Sequence, residues 1–293
     1  MTVLVRLAYD GTDFHGYARQ ADPGVRTVQG CLEQALAGLY QRPVASRAAS
    51  RTDAGVHALG QIAGFEPPLA IPPRGVVLGL LGKLPPDISV LSAWQATAPD
   101  GGPVEPRFWN LGKRYRYRIR TTARRVPQTH RFEWHLPRRL DLAAMQAAAL
   151  HFAGEHDFAG FRAAGCQART TVRRVHAVEV HGGPADEHLP PDPAVLPPAE
   201  GPELLTITVR GEAFLQNMVR IMVGTLVEVG AGRRRPDAVR DLLARPDRRR
   251  SGATAPPQGL TLDEVLWPDP WPPPPRAARP EPEDEQGEPE PAT

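Results

Sequence analysis

Cysteine, lysine and long apolar runs are scarce in this 293-residue chain, and each scarcity removes a class of protein. Its two cysteines, Cys31 and Cys166, form no Cys-x-x-Cys pair and have no histidine at zinc-ligand spacing. A disulfide framework or an ordinary zinc site needs more, so both read as free thiols in a reducing compartment. No stretch of about 18 apolar residues occurs, which argues against a membrane-spanning helix. The start, Met1-Thr2-Val3-Leu4-Val5-Arg6, meets Asp10 and Asp13 at once and lacks the basic and apolar regions of a signal peptide. Neither a G-x-x-x-x-G-K-(S/T) phosphate loop nor an H-E-x-x-H zinc string is present. The expectation is a cytoplasmic protein of one or two domains, with no metal and no cofactor.

What the chain does have is arginine. Of its 35 basic side chains only Lys83 and Lys113 are lysine, which leaves 33 arginines. The net charge of +2 hides an asymmetry: residues 268–293 carry two arginines against seven carboxylates, so residues 1–267 stand at +7. Arginine suits bidentate phosphate contacts. The arginine-to-lysine ratio is also what a GC-rich genome produces, as are the many Ala, Pro and Gly residues. The excess positive charge of the body still favours a polyanionic partner.

Patterning suggests an α+β fold. Val3 to Ala8 reads as a strand closed by the turn signal Asp10-Gly11-Thr12-Asp13. Thr27 is placed to cap a helix through Leu39, stopped by Gln41-Arg42-Pro43. Ala45 to Phe65 reads as strand, loop, strand; residues 72–84 as a short helix; Ile88 to Ala93 as a strand. The second part repeats the layout: a strand from Arg114 to Ile119, a helix from Asp141, strands at Thr171 to Val180 and Leu204 to Val209, and a helical stretch from Phe214 to Val229. Another helix follows Arg235-Pro236-Asp237 and reaches Leu243. This predicts two ferredoxin-like halves with antiparallel sheets, residues 1–105 and 106–267, around a basic central cleft. Residues 182–202 hold seven prolines and read as a surface insertion, and 268–293 as a disordered acidic tail.

Two local features suggest chemistry. In Arg51-Thr52-Asp53, residues two apart in an extended segment point the same way, so Arg51 can flank the Asp53 carboxylate. A guanidinium neighbour keeps a carboxylate ionised, ready as nucleophile or base; a structural ion pair beside the Ala54-Gly55 turn is the other reading. Arg220 lies within the apolar stretch Phe214 to Val229, where an unpaired guanidinium is costly. Asp53 is its candidate partner; a side chain reaching solvent past the helix edge is the alternative. One strand raises a difficulty. Tyr115, Tyr117 and Ile119 alternate with Arg114, Arg116, Arg118 and Arg120, so a tyrosine face covered by helices would point Tyr115 into the core. The arginine face should then meet water or phosphate.

Longer strings narrow the field. Arg51-Thr52-Asp53-Ala54-Gly55-Val56-His57-Ala58 resembles the signature of the tRNA pseudouridine synthase A family, which acts on the anticodon stem-loop. Tyr9-Asp10-Gly11-Thr12-Asp13-Phe14-His15-Gly16, Thr27-Val28-Gln29 and Lys113-Arg114-Tyr115-Arg116-Tyr117 resemble further family motifs. So do His156-Asp157-Phe158 with Gly160-Phe161-Arg162, Arg169-Thr170-Thr171-Val172-Arg173, Phe214-Leu215-Gln216-Asn217-Met218-Val219-Arg220, and Thr254-Ala255-Pro256-Pro257 with Gly259-Leu260. They stand in family order from residue 9 to residue 260.

The resemblance implies that Asp53 is the catalytic nucleophile for isomerising uridine to pseudouridine at tRNA positions 38, 39 and 40. It implies that Tyr115 contacts the target base, that Arg51 and Arg220 line the site and hold Asp53, that tRNA is the partner, and that the enzyme is a homodimer. A flipped-out base and phosphate-dominated affinity are expected. The chain departs from the family at Tyr17, where tryptophan is usual, at Leu80-Leu81-Gly82-Lys83-Leu84-Pro85, which lacks the usual asparagine, and at Trp267, where tyrosine is usual. These changes touch expected RNA contacts and leave Asp53, Tyr115 and the arginines in place. A synthase for another RNA, a non-catalytic RNA-binding protein and a metal-dependent nuclease are the rival readings.

Overall fold

The computed structural model describes residues 1–22, 24–184 and 201–269. Most of the proline-rich insertion and nearly all of the acidic tail lie outside them. Among the described residues ten strands form one sheet: β1 (Thr2–Tyr9), β2 (Arg47–Ala48), β3 (His57–Phe65), β4 (Ile88–Ala96), β5 (Gly112–Arg120), β6 (Trp134–His135), β7 (Gly154–Asp157), β8 (Val172–Gly183), β9 (Leu204–Gly211) and β10 (Leu260–Leu266). Their order is β4-β1-β3-β10-β5-β9-β8-β7, with β2 on β3 and β6 on β5. The helices are α1 (Val28–Tyr40), α2 (Pro73–Leu81), α3 (Pro106–Trp109), α4 (Leu142–Ala149), α5 (Met218–Gly230) and α6 (Ala238–Ala244).

Local chemistry explains most of these boundaries. Thr27 Oγ1 accepts the Gly30 amide at 3.2 Å and starts α1; Gln41 ends it with φ +56°. Asp141 caps α4 by accepting the Ala144 amide at 2.9 Å. The helical pattern beginning at Phe214 becomes a helix only at Met218, because Asn217 adopts φ +60°. Asparagine is among the few non-glycine residues that tolerate that region.

The sheet departs from a purely antiparallel design. β10 runs parallel to β3 and antiparallel to β5, so the last strand among the described residues sits between strands of the first and second sequence halves. β6 is also parallel to β5. In register, Tyr115, Tyr117 and Ile119 of β5 face Val209, Ile207 and Leu205 of β9, all of them buried. Helix α5 is buried nearly all round, as a helix embedded in a core must be.

On the arginine face of β5, Arg114, Arg116 and Arg118 are partly exposed, and acids of a neighbouring strand pair with two of them. Arg114 Nη2 lies 3.2 Å from Glu264 Oε2, and Arg116 Nη2 lies 3.1 Å from Asp263 Oδ1, both acids coming from β10. Arg120 is buried and paired with buried Glu133. Among the described residues no helix is long and apolar enough to cross a membrane.

Candidate active site

Asp53 sits on the loop between β2 and β3, and the backbone around it explains why glycines surround it in sequence. Val56 donates its amide to Asp53 O at 3.1 Å, closing a turn in which Gly55 takes φ +76°. The loop after β1 lies directly on this turn. A Cβ at Gly11 would sit 2.0 Å from Val56 O, and Gly16, at φ +97°, would place one 2.9 Å from Thr52 O. Only glycine allows such an approach. The two loops are joined by the Tyr17 amide to Thr52 O at 3.0 Å and the Gly55 amide to Phe14 O at 3.3 Å. Side chains finish the mounting: Tyr9 Oη and Thr52 Oγ1 are 2.8 Å apart, and Gln61 Nε2 donates to Ser50 O at 2.6 Å.

The second half of the chain meets this loop at the start of α5. Arg220 Nη1 is 3.8 Å from Asp53 Oδ2, a charge contact longer than a hydrogen bond. The guanidinium spends its hydrogen bonds elsewhere, donating from Nη1 to Asn217 Oδ1 at 2.8 Å and from Nε to Ala255 O at 2.7 Å. Arg220 is therefore fixed by Asn217 and Ala255 and neutralises Asp53 without occupying its lone pairs. The Asn217 amide, at the positive end of α5, also bonds the carboxylate.

Burial pushes the Asp53 pKa up, and Arg220 and the Asn217 amide offset only part of it. Burial likewise lowers the Arg220 pKa, against the pull of Asp53. Since folding raises the Asp53 value above 3.8, the ionised carboxylate weakens the fold near neutral pH and does not do so below 3.8, where both states are protonated. Asp53→Asn should therefore melt above wild type at pH 7, and the gap should close as the pH falls. Thermal unfolding across that range checks this; a variant less stable than wild type at pH 7 contradicts it.

Of the four residues singled out in the sequence, the structure gathers Asp53, Arg220 and Arg51 around one cavity of about 540 Å³, walled by residues 15–20 and 51–54 and by Gln216, Asn217 and Arg220. Arg51 is exposed on that wall, and among the described residues the ion pair to Asp53 comes from Arg220 and not from Arg51. Tyr115 lies beneath the cavity, not on its wall. It is 6% exposed, its Oη is 3.0 Å from Ser50 Oγ, and its ring meets Phe214 edge-on at 5.3 Å. Burial and the nearby Asp53 charge, against the Ser50 bond, push its pKa up to about 12, so it is a neutral phenol at pH 7.

Asn217 and Ala255 stand inside the motif strings, but the sequence assigns neither a role at the site. The first lies inside the apolar stretch read as helical from Phe214, and only its backbone shows that the helix starts after it; the second acts through its backbone carbonyl, which no side-chain pattern reveals. Among the described residues no group of three or more His, Cys, Asp or Glu side chains is placed to hold a metal ion.

With this geometry in hand, comparison with known proteins is specific. The family model described as tRNA pseudouridine synthase matches residues 7–96 and 148–268, which include Arg51, Asp53 and Arg220 but not Tyr115. Over 264 residues the chain is 46% identical to tRNA pseudouridine synthase A of Geobacter sulfurreducens, covering 90% of this chain and 98% of that one. It is 42% identical over 263 residues to the Myxococcus xanthus protein of the same name, covering 90% and 91%. It is 44% identical over 261 residues to that of Geotalea uraniireducens, covering 89% and 97%. This chain belongs to the tRNA pseudouridine synthase A family.

Proposed function

We propose that this protein isomerises uridine to pseudouridine in the anticodon arm of tRNA, at positions 38, 39 and 40, with Asp53 as nucleophile. One observation carries the reading: a half-buried carboxylate faces an open cavity, with a guanidinium close enough to stabilise its charge and too far to take its lone pairs. The ionised carboxylate supplies the electron pair that frees the base from its N-glycosidic bond. Attack at ring C6 and attack at ribose C1′ both start from that oxygen. The base then turns and rejoins the ribose through C5, the bond to Asp53 breaks and returns its carboxylate, and the proton on C5 leaves to solvent. No electrons enter or leave, so the isomerisation needs no redox partner.

The other residues take supporting parts. Arg220 keeps Asp53 ionised despite its burial. Arg51, exposed on the cavity wall, meets the RNA backbone or the displaced base. Tyr115, held by Ser50 and Phe214 and coupled to the Asp53 charge, contacts the base that enters. The +7 charge of residues 1–267 draws in the polyanion. We read residues 1–105 and 106–267 as two ferredoxin-like halves that meet at β10, with the basic cleft between them, and the working unit as a cytoplasmic homodimer.

Arg220→Lys keeps the charge and loses the forked anchoring to Asn217 and Ala255. It should lower kcat roughly 10²-fold with little change in tRNA KM, the scale of losing one preorganised electrostatic contact. Steady-state kinetics on an anticodon-arm substrate check this, and near-wild-type kcat would contradict it. The function as a whole is tested by sequencing pseudouridine in tRNA from a strain lacking this protein. Positions 38 to 40 should read as uridine; unchanged modification there, with a loss in another RNA, would move the substrate to that RNA.

A further inference from the structure

Four residues beyond Asp53 stands a buried imidazole that the chemistry above does not use. His57 opens β3 and is 2% exposed. The Gly11 amide donates to its Nδ1 at 3.0 Å, and Asp10 Oδ1 lies 3.2 Å from the same nitrogen. On the far side Nε2 is buried without a hydrogen-bond partner, and the backbones of Arg131 and Gln258 lie close enough to act on the ring. The Phe132 ring covers the imidazole at 4.7 Å between centroids. One side chain thus meets the loop after β1, the segment before β6 and the segment before β10.

We propose that neutral His57 is a positioning residue for the Asp53 reaction, its bare Nδ1 accepting the Gly11 amide and so holding the loop after β1 against the Asp53 loop. The proposal rests on the reading of Asp53 as nucleophile. Gly11 is buried, and a buried amide needs an acceptor inside the protein. A nitrogen that accepts carries no proton, so the proton of the ring sits on Nε2.

The charges around His57 are consistent with this state. Asp10 Oδ1 already accepts the Thr12 amide at 3.0 Å and the Thr12 hydroxyl at 2.6 Å. Asp10 Oδ2 faces Arg131 Nη1 at 3.5 Å, and that guanidinium also reaches Asp13 Oδ2 at 3.5 Å. Asp10 is thus held without an imidazolium. Burial drives the ring toward its neutral form, against the pull of Asp10.

Protonation would reverse the bond. Nδ1–H would turn to Asp10, and the Gly11 amide would lose its acceptor. The loop has no room to adjust, because Gly11 already lies against the Val56 carbonyl. The disturbance passes through Phe14 O to the Gly55 amide and through the Tyr17 amide to Thr52 O, the two bonds that set the Asp53 turn. Acid should therefore stop turnover by protonating His57 as well as Asp53.

The test compares His57→Asn, whose amide oxygen supplies an acceptor near the Nδ1 position and does not titrate, with His57→Leu, which supplies none. His57→Leu should lose roughly 10²-fold in kcat, the scale of a small misplacement of the reacting group, while tRNA KM moves little. His57→Asn should recover most of that loss, and its acid limb of kcat against pH should lie below that of wild type, being set by Asp53 alone. Equal losses in the two variants, or acid limbs of wild type and His57→Asn that superimpose, overturn the proposal. Should His57→Leu not fold, the acid limb of His57→Asn still decides. An independent readout needs no turnover: imidazole ¹⁵N spectra of the wild-type protein at neutral pH should show Nδ1 bare and Nε2 protonated. The opposite tautomer overturns the positioning role even if the protein makes pseudouridine, and a wild type without product but with this tautomer overturns the Asp53 reading instead.

Discussion

Replacing Asp53 with asparagine should abolish pseudouridine formation, by roughly 10⁴-fold or more, while tRNA affinity stays within about threefold of wild type. The separation follows from the geometry. Asparagine fills the same volume, so the turn closed by Val56 and Gly55 and the wall shared with residues 15–20 remain. It removes the ionised oxygen that the proposed reaction needs. On the proposed reading affinity for tRNA comes mainly from phosphate contacts, and one carboxylate inside a cavity contributes little to it. The same exchange relieves a buried negative charge, so the inactive variant should also be the more heat-stable one at pH 7. Gel-shift titration beside a product assay reads the separation. Equal loss of binding and product would make Asp53 a structural residue, and full activity in the variant would remove it from the mechanism.

Gly224→Ala should have a comparably large effect on stability, and of the opposite sign to the one helix propensity gives. In an open helix, alanine stabilises by about 1 kcal/mol relative to glycine. Here the added Cβ would lie 1.7 Å from Ala253 O, a backbone atom that cannot turn aside. The segment carrying Ala253 is stitched to α5 on both sides of the clash. Gly252 donates its amide to Thr225 Oγ1 at 2.9 Å, Ala255 donates its amide to Arg220 O at 3.1 Å, and Arg220 Nε returns a bond to Ala255 O at 2.7 Å. Making room for one methyl group means separating the helix from this segment, at a cost of about 3 kcal/mol or more. Because Ala255 anchors Arg220, activity should fall with stability. Urea unfolding measures the first and steady-state kinetics the second; a loss below about 1 kcal/mol would mean that the segment moves freely and does not set Arg220.

How much of this was legible in the sequence depended on where the information lay. Thr27 and Asp141 capped helices where their side chains said they would, because a cap is a local event. Asp53 and Arg220 were matched across 167 positions from the cost of a guanidinium in an apolar helix, and the structure puts them 3.8 Å apart. Arg51 was assigned to the same carboxylate from two-residue spacing, which holds for a strand; residue 51 belongs to a loop, and its side chain turns to the cavity wall. The strand β10 gave no pattern to read, since Asp263 and Glu264 interrupt the alternation of Leu260, Leu262 and Val265 and the register shifts between Leu262 and Glu264. Those two acids pair with Arg114 and Arg116, so without the strand nothing in the sequence signals carboxylates on the partly exposed arginine face. The dilemma over Tyr115 likewise had an answer only in three dimensions: it is a core residue and a neighbour of the site at once, because the Asp53 loop and Phe214 close over the tyrosine face of β5.

The central claim is that Asp53 breaks and remakes a uridine linkage in the anticodon arm. Purified full-length protein incubated with unmodified tRNA, followed by chemical labelling of the C-glycoside and mass mapping of the anticodon arm, addresses it directly. Pseudouridine should appear at positions 38 to 40 with wild type and be missing with Asp53→Asn. An anticodon arm that stays entirely uridine after treatment with folded, tRNA-binding wild-type protein would contradict the account.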